Sequence, residues 1–459
     1  MDNKETKPAA GMATRREFIK KASTAAAVVA STNLFKTPVY GQNQAPSPGR
    51  VIGANDRIVV GYIGVGNQGM AHVRTQKEFA TANNIVQVAV CDLSKYRAAD
   101  AHKYIGGDIQ EFDDHRKLLE RKDIDAVTIA TVDHWHAQCA IDAMQAGKHV
   151  YVEKPMTRYL GEAFQIADTV KSTGKALQIG SQICSDARWH KAAELIQAGK
   201  IGQMVLAQDS YMRNNPKGEW NYPIQPWCTP EDVNWERWQG KVHNKKAFDA
   251  DSYFRWRKYY PYCAGLLGDL IPHRLHPLML ATGSPEFPSR VVCLGNKAAH
   301  TDANTSGTPE RDVPEQVQLL AEFPSGLNIL ITSSSLNQVG LTSIIRGHKA
   351  TLYMGGGNRI ELKPEPAFSE EIDPQVIEHL EPSGEKINEM EKNWFDCIRS
   401  GKKTFGNIDL ALRAQTVISL AEMSQRLNIM CLFNDKTRKI TTGDGKEVTP
   451  ITYGTLPLS

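Results

Sequence analysis

Asp269 and His273 are two residues whose types and spacing suggest acid–base chemistry. They stand four apart in the segment CAGLLGDLIPHRLHP, where Pro272 suits the first turn of a helix. Side chains four residues apart share one helix face, so the carboxylate could orient the imidazole and stabilise its protonated form. A general base that removes a hydroxyl proton needs this arrangement. The same residues also fit a plainer interpretation, in which Asp269 caps the helix and His273 packs within it.

A glycine pattern, formed by Gly64, Gly66 and Gly69, lies between a predicted buried strand, RIVVGYIGVG, and a predicted helix. Glycines there permit a tight turn, a close approach of the backbone to a pyrophosphate, and close packing of the helix on the strand. The phosphates then lie at the helix N-terminus, where free N–H groups and the helix dipole favour negative charge. The pattern predicts a dinucleotide site rather than a turn that serves packing alone.

Asp92 ends the next predicted strand, IVQVAVCD, roughly 20 residues beyond the glycines. A carboxylate at that position can accept a hydrogen bond from a ribose 2′-hydroxyl and would repel a 2′-phosphate, so it favours NAD over NADP. Lys95 and Arg97 lie close enough in the sequence to keep NADP open. The candidate cofactor residues in this part of the chain are Gly64, Gly66, Asn67, Gly69 and Asp92.

Polar residues also follow two later predicted strands, in the segments TVDHWHA and YVEKPMT. The carboxyl ends of parallel strands are where such sheets bind ligands. Lys154 would place a cation beside the expected nicotinamide ribose, although an ordinary surface lysine explains that residue equally well on local grounds. The further cofactor candidates are Thr131, Asp133, His136, Glu153 and Lys154.

The elements that must position these residues fall into two patterns. Up to about residue 178, short apolar strands alternate with helical segments, which predicts a doubly wound parallel sheet. Beyond it, strands follow one another with short turns and helices are grouped apart, which predicts an α+β domain with a mostly antiparallel sheet. The predicted divisions are a nucleotide-binding domain over residues 57–178, a substrate and oligomerisation domain over 179–430, and a C-terminal segment over 431–459.

The N-terminal segment TRREFIKKASTAAAVVA is typical of an export signal. Its arginine pair, followed by Phe18 and Lys20, resembles the twin-arginine signal, whose pathway carries proteins already folded. The alternative is a basic disordered tail, and no clean cleavage motif decides whether the signal is removed. We predict a signal peptide over residues 1–41 and a turn-rich linker over 42–56. The protein would then be periplasmic or otherwise exported, with the twin-arginine export machinery as a partner.

The charge distribution excludes several classes of partner. The chain of 459 residues has a net charge of +3, but its first 41 residues alone carry +4, so the remainder carries −1. No basic field is left to attract nucleic acid or an anionic membrane surface.

The eight cysteines show no Cys-x-x-Cys spacing, and a chain that folds before export folds in a reducing compartment. We therefore expect mostly buried free thiols and no zinc site. A zinc or manganese site built from His134, His136, His273 and His276 is conceivable. These pairs lie on separate segments, however, and no set of carboxylates completes a ligand group, so we predict no metal.

Taken in order, Gly-x-Gly-x-x-Gly, Thr-x-Asp-His-x-His, Glu-Lys-Pro and Gly-Asp-x-x-x-His resemble the motifs of the Gfo/Idh/MocA oxidoreductases, which include glucose–fructose oxidoreductase and inositol dehydrogenase. The resemblance covers about residues 57–430. The segments NWERWQGK, WRKYY and NWFDCIRSGK also look like those of exported bacterial members. Together these motifs are specific for the family and say little about the substrate.

The resemblance implies a Rossmann domain, a second domain with an open-faced sheet, a bound nicotinamide, and a sugar or polyol ligand. By position, Lys154 would hold the reacting hydroxyl and the nicotinamide ribose, Asp269 would position the substrate, and His273 would act as acid or base. Open-faced sheets of this kind often pack against a second copy, so a homo-oligomer is expected by analogy. The substrate candidates are Trp256, Arg257 and His276.

Three positions depart from the family pattern. Ile271 stands where many relatives have glycine in Asp-x-Gly-x-His, and His276 stands where they often have an acid. Cys184 stands where exported relatives often have arginine. The cofactor half therefore fits the family more closely than the substrate wall does.

A signal and a cofactor site in one chain raise a question of supply, because free dinucleotide is scarce outside the cytoplasm. A protein exported in folded form can carry a tightly bound dinucleotide and must regenerate it in place. We expect an oxidoreductase in which a second substrate reoxidises the cofactor. The alternative is transient oxidation of a sugar, elimination or hydrolysis, and return of the hydride, as in NAD-dependent glycosidases of this superfamily, which include an α-N-acetylgalactosaminidase branch. A non-catalytic sugar-binding protein is a distant third hypothesis.

Overall fold

The computed structural model describes residues 57–453 of the chain. The predicted signal and linker lie outside the described residues, as do residues 454–459. Within residues 57–453, no helix is both long enough and apolar enough to cross a membrane. This part of the chain contains two large sheets.

The first sheet consists of six parallel strands: β1 (Ile58–Ile63), β2 (Ile85–Cys91), β3 (Gln110–Phe112), β4 (Ala126–Ile129), β5 (His149–Glu153) and β6 (Leu177–Gly180). Their order is β3-β2-β1-β4-β5-β6. Strands β1, β4 and β6 are buried along their whole length, which explains their nearly continuous apolar sequences. Chain order reverses between β1 and β4, so their carboxyl ends flank the crevice in which such sheets bind ligands.

Five helices follow strands of this sheet: α1 (Asn67–Glu78), α2 (Lys95–Ile105), α3 (His115–Leu119), α4 (Asp133–Gln145) and α5 (Leu160–Thr173). Local sequence sets their ends. The Ser94 side chain caps α2 by accepting a hydrogen bond from the Arg97 N–H, and Gly174 ends α5 in the left-handed conformation. Helices α1 and α4 begin shortly after β1 and β4, so their N-termini lie at the carboxyl end of the sheet.

The second sheet consists of ten strands: β7 (Met204–Met212), β8 (Arg290–Asn296), β9 (Gln316–Glu322), β10 (Asn328–Ser334), β11 (Ile344–Gly347), β12 (Ala350–Tyr353), β13 (Ile360–Pro364), β14 (Gln375–Ile377), β15 (Cys431–Asn434) and β16 (Lys439–Thr441). Their order is β14-β13-β12-β11-β7-β10-β9-β8-β15-β16. Strands β7 and β10 run parallel, and the other neighbours run antiparallel. The predicted fold class, a doubly wound parallel sheet with an α+β domain, is confirmed.

The later part of the described chain also forms helices α6 (Ala187–Gln197), α7 (Trp235–Gln239), α8 (Ala250–Phe254), α9 (Leu266–Asp269), α10 (Pro272–Ala281), α11 (Asp302–Ser306), α12 (Ile387–Ser400) and α13 (Ile408–Leu427). Short 3-10 turns lie at Gln182–Ser185, Trp256–Lys258 and Pro366–Phe368. Helix α13 is buried along most of its length because it packs against β6 of the first sheet and β8 of the second. One hydrophobic core therefore runs through both sheets.

Two predicted divisions cut through folded elements. Strand β6 crosses the division at residue 178 and pairs with β5 as far as Gly180, which lies opposite Glu153. Strands β15 and β16 lie in the predicted C-terminal segment but extend the second sheet, because Cys431 pairs with Val291 of β8. The first sheet therefore ends later than the sequence indicated, and the second sheet continues beyond residue 430.

The second sheet has one buried face and one more exposed face. On β9, the buried side chains of Val317, Leu319 and Ala321 alternate with less buried ones. The opposite face carries Leu320, which is 40% exposed, and Leu294 of β8, which is 70% exposed and pairs with Gln318.

Candidate active site

The glycine turn after β1 is too tight for a side chain. Gly64 has a φ of +83°, and a Cβ atom there would lie 2.7 Å from the backbone nitrogen of Thr131. A Cβ atom on Gly69 would lie 2.1 Å from the Gly64 carbonyl oxygen, so glycine lets α1 start close against the strand. Gly66 and Asn67, which begin α1, line a groove beside this turn. Exposed backbone at a helix N-terminus is the cradle expected for a pyrophosphate.

Asp92 follows β2 and lines the same groove. Its Oδ2 accepts a hydrogen bond from the Val65 N–H at 2.8 Å, and its Oδ1 accepts one from the Ser94 N–H at 2.9 Å. The carboxylate is therefore fixed beside the glycine turn. Lys95 Nζ, in contrast, donates to the Glu231 carbonyl oxygen at 2.6 Å. The acid that faces the groove favours NAD, whereas Arg97, which also lines the groove, leaves NADP open.

Changing Asp92 to asparagine is expected to shift the cofactor preference toward NADP. Asparagine keeps an oxygen for the Val65 N–H but removes the charge that repels a 2′-phosphate. We expect the ratio of the NADP Kd to the NAD Kd to fall roughly 10-fold, which corresponds to about 1.4 kcal/mol. Titrating cofactor-free protein with each dinucleotide and following tryptophan fluorescence measures both constants.

The matched control is Asp100→Asn, which removes an equal charge from the lining of the same groove. It should leave the Kd ratio nearly unchanged. If D92N keeps the wild-type ratio, or if D100N changes it as much, Asp92 does not select the cofactor.

Aromatic rings from the segment 222–256 close the outer side of the groove. The Arg97 guanidinium carbon lies 4.8 Å from the Tyr253 ring centroid, 5.4 Å from that of Trp227 and 5.7 Å from that of Phe254. Trp227 also stacks on Tyr96, with ring centroids 4.8 Å apart. We call Trp227, Tyr253 and Phe254 the aromatic wall. Cation–π and stacking contacts hold this wall against α2, so the groove, of about 590 Å³, lies between it and the glycine turn.

A second cavity of about 330 Å³ continues from the groove, and we call it the catalytic cavity. It contains the three predicted catalytic residues, Lys154, Asp269 and His273, which come from the end of β5, from α9 and from α10. The structure therefore brings together residues that are far apart in the sequence. Both cavities are lined by Gln68, Ala130, Thr131, Tyr222, Trp256 and Arg257.

Lys154 and Asp269 form a buried ion pair. Lys154 Nζ donates to Asp269 Oδ1 at 2.7 Å and to the Asp269 carbonyl oxygen at 2.8 Å. Arg257 Nε donates to the same Oδ1 at 3.0 Å, and Trp220 Nε1 donates to Oδ2 at 3.2 Å. Burial alone would raise the pKa of Asp269, but the charges of Lys154 and Arg257 hold it well below its usual range. Burial likewise opposes the charge of Lys154, and the Asp269 carboxylate outweighs it and raises the lysine pKa. Both groups are therefore charged at neutral pH.

His273 faces a different carboxylate from the one that the sequence spacing suggested. Glu385 Oε1 lies 3.2 Å from His273 Nδ1, whereas the Asp269 carboxylate is bonded to Lys154, Arg257 and Trp220. The His273 ring also packs against a tyrosine ring of β7 with centroids 5.2 Å apart. The helix boundaries explain the difference. Asp269 ends α9, and α10 begins only at Pro272, so the two residues do not share one continuous helix.

The predicted substrate residues divide into two groups. Trp256 and Arg257 line both cavities, and the Arg257 guanidinium carbon lies 4.1 Å from the Trp256 ring centroid. Of the described residues that line these two cavities, none is His276, which is buried within α10. Its Nδ1–H donates to the Pro272 carbonyl oxygen at 3.0 Å, and burial lowers its pKa to about 4. The structure therefore does not support the predicted contact between His276 and a substrate.

Thr131, Asp133 and His136 lie around the start of α4 and line the catalytic cavity. The His136 Nδ1–H donates to the Pro155 carbonyl oxygen at 2.7 Å, which ties α4 to the turn after β5. Asp133 Oδ2 is buried and has no hydrogen-bond partner among residues 57–453, and burial raises the pKa of Asp133. His136 therefore supports the cavity wall, while Asp133 is a polar group that the surrounding protein leaves unpaired.

Glu153 is held in a buried polar network that sequence reasoning missed. Its Oε1 accepts hydrogen bonds from Gln68 Nε2 at 3.0 Å and from Gln182 Nε2 at 2.7 Å. His72 Nε2 lies 2.8 Å from the same oxygen, and His72 Nδ1 lies 2.6 Å from Glu391 Oε1. Glu153 thus has its carboxylate directed into the network rather than left free for a ligand.

The network carries charge in the protein interior. Burial opposes a charged His72, but the two carboxylates outweigh it and raise its pKa to about 9. Burial also opposes a charged Glu153, and the His72 and Lys154 charges outweigh it and lower the pKa of Glu153 to about 2. His72 lies on α1 and Glu391 on α12, so no local spacing could have paired them.

Within residues 57–453, the side chains that metal or thiol chemistry would need are dispersed. Across residues 57–453, no group of three or more His, Cys, Asp or Glu lies close enough together to hold a metal ion. His134, which the sequence offered as a metal ligand, instead has its Nε2–H bonded to the Trp238 carbonyl oxygen at 2.8 Å. The eight cysteines are buried free thiols, as the sequence predicted.

The strand order, the glycine cradle and the acid after β2 together define a dinucleotide-binding Rossmann domain. Residues 58–181 match the Gfo/Idh/MocA family model, which is described as an oxidoreductase family with an NAD-binding Rossmann fold. Residues 58–181 are thus similar to the NAD-binding domain of the Gfo/Idh/MocA oxidoreductases, and the prediction of NAD as the cofactor is confirmed.

Solved structures share the whole two-sheet fold. Levoglucosan dehydrogenase in complex with NADH and levoglucosan superposes with a TM-score of 0.64 at 18% identity, over 82% of this chain and 99% of that chain. An oxidoreductase domain protein from Kribbella flavida gives a TM-score of 0.63 at 20% identity, over 82% of this chain and 98% of that chain. At these identities the likeness is one of fold.

Sequence relatives include a glycosyl hydrolase family 109 protein from Shewanella baltica, which is 30% identical over 217 residues, 43% of this chain and 46% of that protein. An alpha-N-acetylgalactosaminidase from Shewanella oneidensis is 27% identical over 234 residues, 45% of this chain and 49% of that protein. The chain thus spans about half the length of the curated relatives it matches.

Proposed function

We propose that this protein is an NAD(P)-dependent oxidoreductase that transfers hydride between a CH–OH carbon of a sugar or polyol and a tightly bound nicotinamide. One observation carries the proposal. The Lys154–Asp269 ion pair and His273 line a cavity that shares its wall with the groove beside the glycine cradle. A substrate in that cavity would lie next to the cofactor site and to an acid–base group at once.

The residues present fit this chemistry. Bound nicotinamide supplies a hydride acceptor. His273 can take the hydroxyl proton, and the Lys154 ammonium can stabilise the alkoxide that develops on the oxygen. Asp269 holds that ammonium in place through the 2.7 Å hydrogen bond and does not compete for the proton, because its own pKa is lowered.

The cavity wall supports a sugar as the ligand class. The rings of Tyr211, Tyr222 and Trp256 line it together with the guanidinium groups of Arg213 and Arg257. Aromatic faces pack on the C–H faces of sugar rings, and the guanidinium groups can donate to hydroxyls. The names of the relatives, a levoglucosan dehydrogenase and an alpha-N-acetylgalactosaminidase, point to the same class.

Tight binding of the cofactor is supported by the aromatic wall. Trp227, Tyr253 and Phe254 pack on Arg97 and line the groove, so a dinucleotide bound there would lie between this wall and the glycine turn. We infer that the cofactor is bound during folding and carried with the protein through the twin-arginine pathway. Cell fractionation tests the export itself.

The reaction is tested with protein purified from the exported fraction without added cofactor. The near-ultraviolet absorbance of reduced nicotinamide is recorded while sugars, polyols and glycosides are added in turn. We expect a lasting rise with at least one sugar or polyol, since the bound NAD would be reduced and left waiting for an acceptor. Protein that contains no nicotinamide would contradict tight binding, and a nicotinamide that no compound in the panel reduces would contradict the oxidoreductase.

A second candidate is an NAD-dependent glycoside hydrolase or lyase that oxidises the sugar only transiently. The family 109 names of the sequence relatives keep this alternative open. In the same experiment it predicts glycoside cleavage with no lasting rise in absorbance. A non-catalytic sugar-binding protein, the third hypothesis, predicts binding of a sugar without either change.

We also propose that the exposed face of the second sheet packs against a second copy of the chain. Leu294 and Leu320 lie on that face, and neither is covered within residues 57–453. Changing Leu294 to glutamate is expected to weaken the association, because the carboxylate would have to be desolvated at the interface. Sedimentation of the wild type and of L294E measures it, and a wild type that is monomeric at micromolar concentration would rule the interface out.

A further inference from the structure

We propose that Glu385 is the carboxylate that positions His273 for proton transfer and that Asp269 does not fill this role. The inference rests on the proposed function only in taking a substrate hydroxyl as the proton donor. Among the described residues, Glu385 is the one carboxylate within 4.0 Å of a ring nitrogen of His273. Asp269, which the sequence spacing suggested, has its carboxylate bonded to other donors.

The surroundings of Nδ1 support this assignment. His273 Nδ1 is buried and has no aligned hydrogen-bond partner in residues 57–453, and Glu385 Oε1 lies 3.2 Å from it. A buried imidazole nitrogen needs a partner, and the facing carboxylate can accept from it once the N–H is aligned. Hydrogen bonds of this kind commonly tighten when a substrate binds. Nε2 is then the ring nitrogen left for the substrate.

The proton step follows from this orientation. The hydroxyl O–H bond of the substrate breaks and an Nε2–H bond forms, while Nδ1–H stays hydrogen-bonded to Glu385. The imidazole becomes an imidazolium, and the negative charge of Glu385 stabilises it. No proton passes to Glu385, which acts through His273 and is therefore a positioning residue.

The segment that carries Glu385 is fixed independently of the Lys154–Asp269 pair. The Gly384 N–H donates to Asp186 Oδ2 at 2.7 Å, and the Ala187 N–H donates to the Pro382 carbonyl oxygen at 2.8 Å. Asp186 is buried and caps α6. The chain just before α12 is therefore attached to the start of α6, which holds Glu385 at the edge of the catalytic cavity.

Glu385 is ionised in this position. Burial would raise its pKa, but the facing His273, with Arg274 and Lys154, outweighs burial and lowers it. Several elements pack around Glu385 and His273, and each contributes titratable or charged groups. They are Lys154 after β5, Cys184 in the 3-10 turn before α6, Tyr211 on β7, Asp269 in α9, and Arg274 and His276 in α10.

Changing Glu385 to glutamine tests the proposal through kinetics. We expect kcat to fall roughly 10- to 100-fold, with a smaller change in KM, because the imidazolium loses its partner in the transition state. For the same reason, the acidic limb of the pH profile of kcat/KM should move to lower pH. Glu385→Asp should restore part of the loss. Glu378→Gln, in an exposed position of the same segment, should behave as the wild type.

A second measurement needs no turnover. Nitrogen NMR of histidine-labelled protein reports which ring nitrogen carries the proton, and the His273 signal is assigned by its loss in His273→Gln. We expect Nδ1 to be protonated in the neutral wild-type ring and this preference to be lost in Glu385→Leu, which has no oxygen to accept the Nδ1–H.

The two measurements separate the two proposals. A tautomer that changes in E385L while no sugar is oxidised supports the positioning role and contradicts the proposed function. A wild-type ring protonated on Nε2 overturns the positioning role, as does an E385L protein with the wild-type tautomer or an E385Q protein with the wild-type pH profile, whatever reaction the protein catalyses.

Discussion

Protein in which Lys154 is changed to methionine is expected to lose about 10²- to 10³-fold in turnover while it still binds its dinucleotide. Removing one preorganised donor from a developing oxyanion typically costs this much. Methionine keeps most of the side-chain length but removes the cation that lies 2.7 Å from Asp269 Oδ1. The alkoxide then develops beside an Asp269 carboxylate whose remaining partners are Arg257 and Trp220.

The measurement combines steady-state turnover on the best substrate with the amount of nicotinamide that copurifies. Lys95→Met is the matched control, since Lys95 bonds a backbone carbonyl oxygen outside the catalytic cavity. Turnover of K154M within a few fold of wild type would remove Lys154 from the chemistry. Loss of the bound nicotinamide in K154M would mean that the lysine serves the cofactor more than the substrate.

Changing Arg158 to methionine is expected to destabilise the protein by about 3–5 kcal/mol, the usual cost of breaking a buried ion pair from one side. Arg158 makes two hydrogen bonds to Glu422, at 2.6 and 2.7 Å, and two to the Tyr260 carbonyl oxygen, at 2.7 and 3.0 Å. The Arg158 side chain is 1% exposed and that of Glu422 is 4% exposed. Methionine fills the space but leaves a carboxylate and a carbonyl group without this partner in the interior.

Denaturant unfolding of wild type and R158M measures the loss. Arg438→Met is the control, because Arg438 lies 3.6 Å from Asp168 with both side chains at least half exposed, and such pairs contribute about 1 kcal/mol or less. Glu422 keeps an ion pair with Arg426, at 2.9 Å, in R158M, so the double change R158M with Glu422→Leu should recover part of the stability by removing a buried carboxylate that has lost one of its two cations. Equal losses of unfolding free energy in R158M and R438M would show that burial does not determine how much the Arg158–Glu422 pair stabilises the protein.

The cofactor end was predictable because its signals are local. The glycines, Asn67 and Asp92 lie within one strand–helix–strand unit, and the close contacts of Gly64 and Gly69 show why no other residue type would serve there. A motif of this kind carries its own geometry, since the turn, the helix start and the acid are fixed by short stretches of chain.

The catalytic end was predictable only in part. Lys154, Asp269 and His273 were identified as candidates, but the pairing of His273 was not, since a helix break between Asp269 and Pro272 separates residues that a continuous helix would have joined. Pro272 lacks the N–H that a continuous helix needs, so the break itself is a local effect, whereas the approach of Glu385 to His273 is not. The contact of His276 with a substrate was predicted from its position in the sequence. The fold buries this side chain, and burial decides whether a histidine reaches a cavity.

Contacts between segments that are far apart in the chain could not be predicted from the sequence. Glu385 reaches His273 from the segment before α12, and Glu391 reaches His72 from within that helix. Each of these carboxylates reads as an ordinary charged residue in the sequence. The tertiary fold decides which residue each carboxylate pairs with, and no local sequence pattern encodes that pairing.

The buried charge on His72 has a consequence for the modularity of this protein. Its two carboxylates come from distant parts of the chain, Glu153 from β5 of the first sheet and Glu391 from α12. The outer edge of β6 is likewise completed from far downstream, since the Ile179 N–H donates to the Gly406 carbonyl oxygen at 2.9 Å. The nucleotide-binding half therefore cannot be transferred to another protein on its own without losing these contacts. Excised at residue 181, it would keep the Glu153 contact of His72 but lose the Glu391 contact and leave an open strand edge, so any rearrangement that recombines such halves must keep the far helix as well.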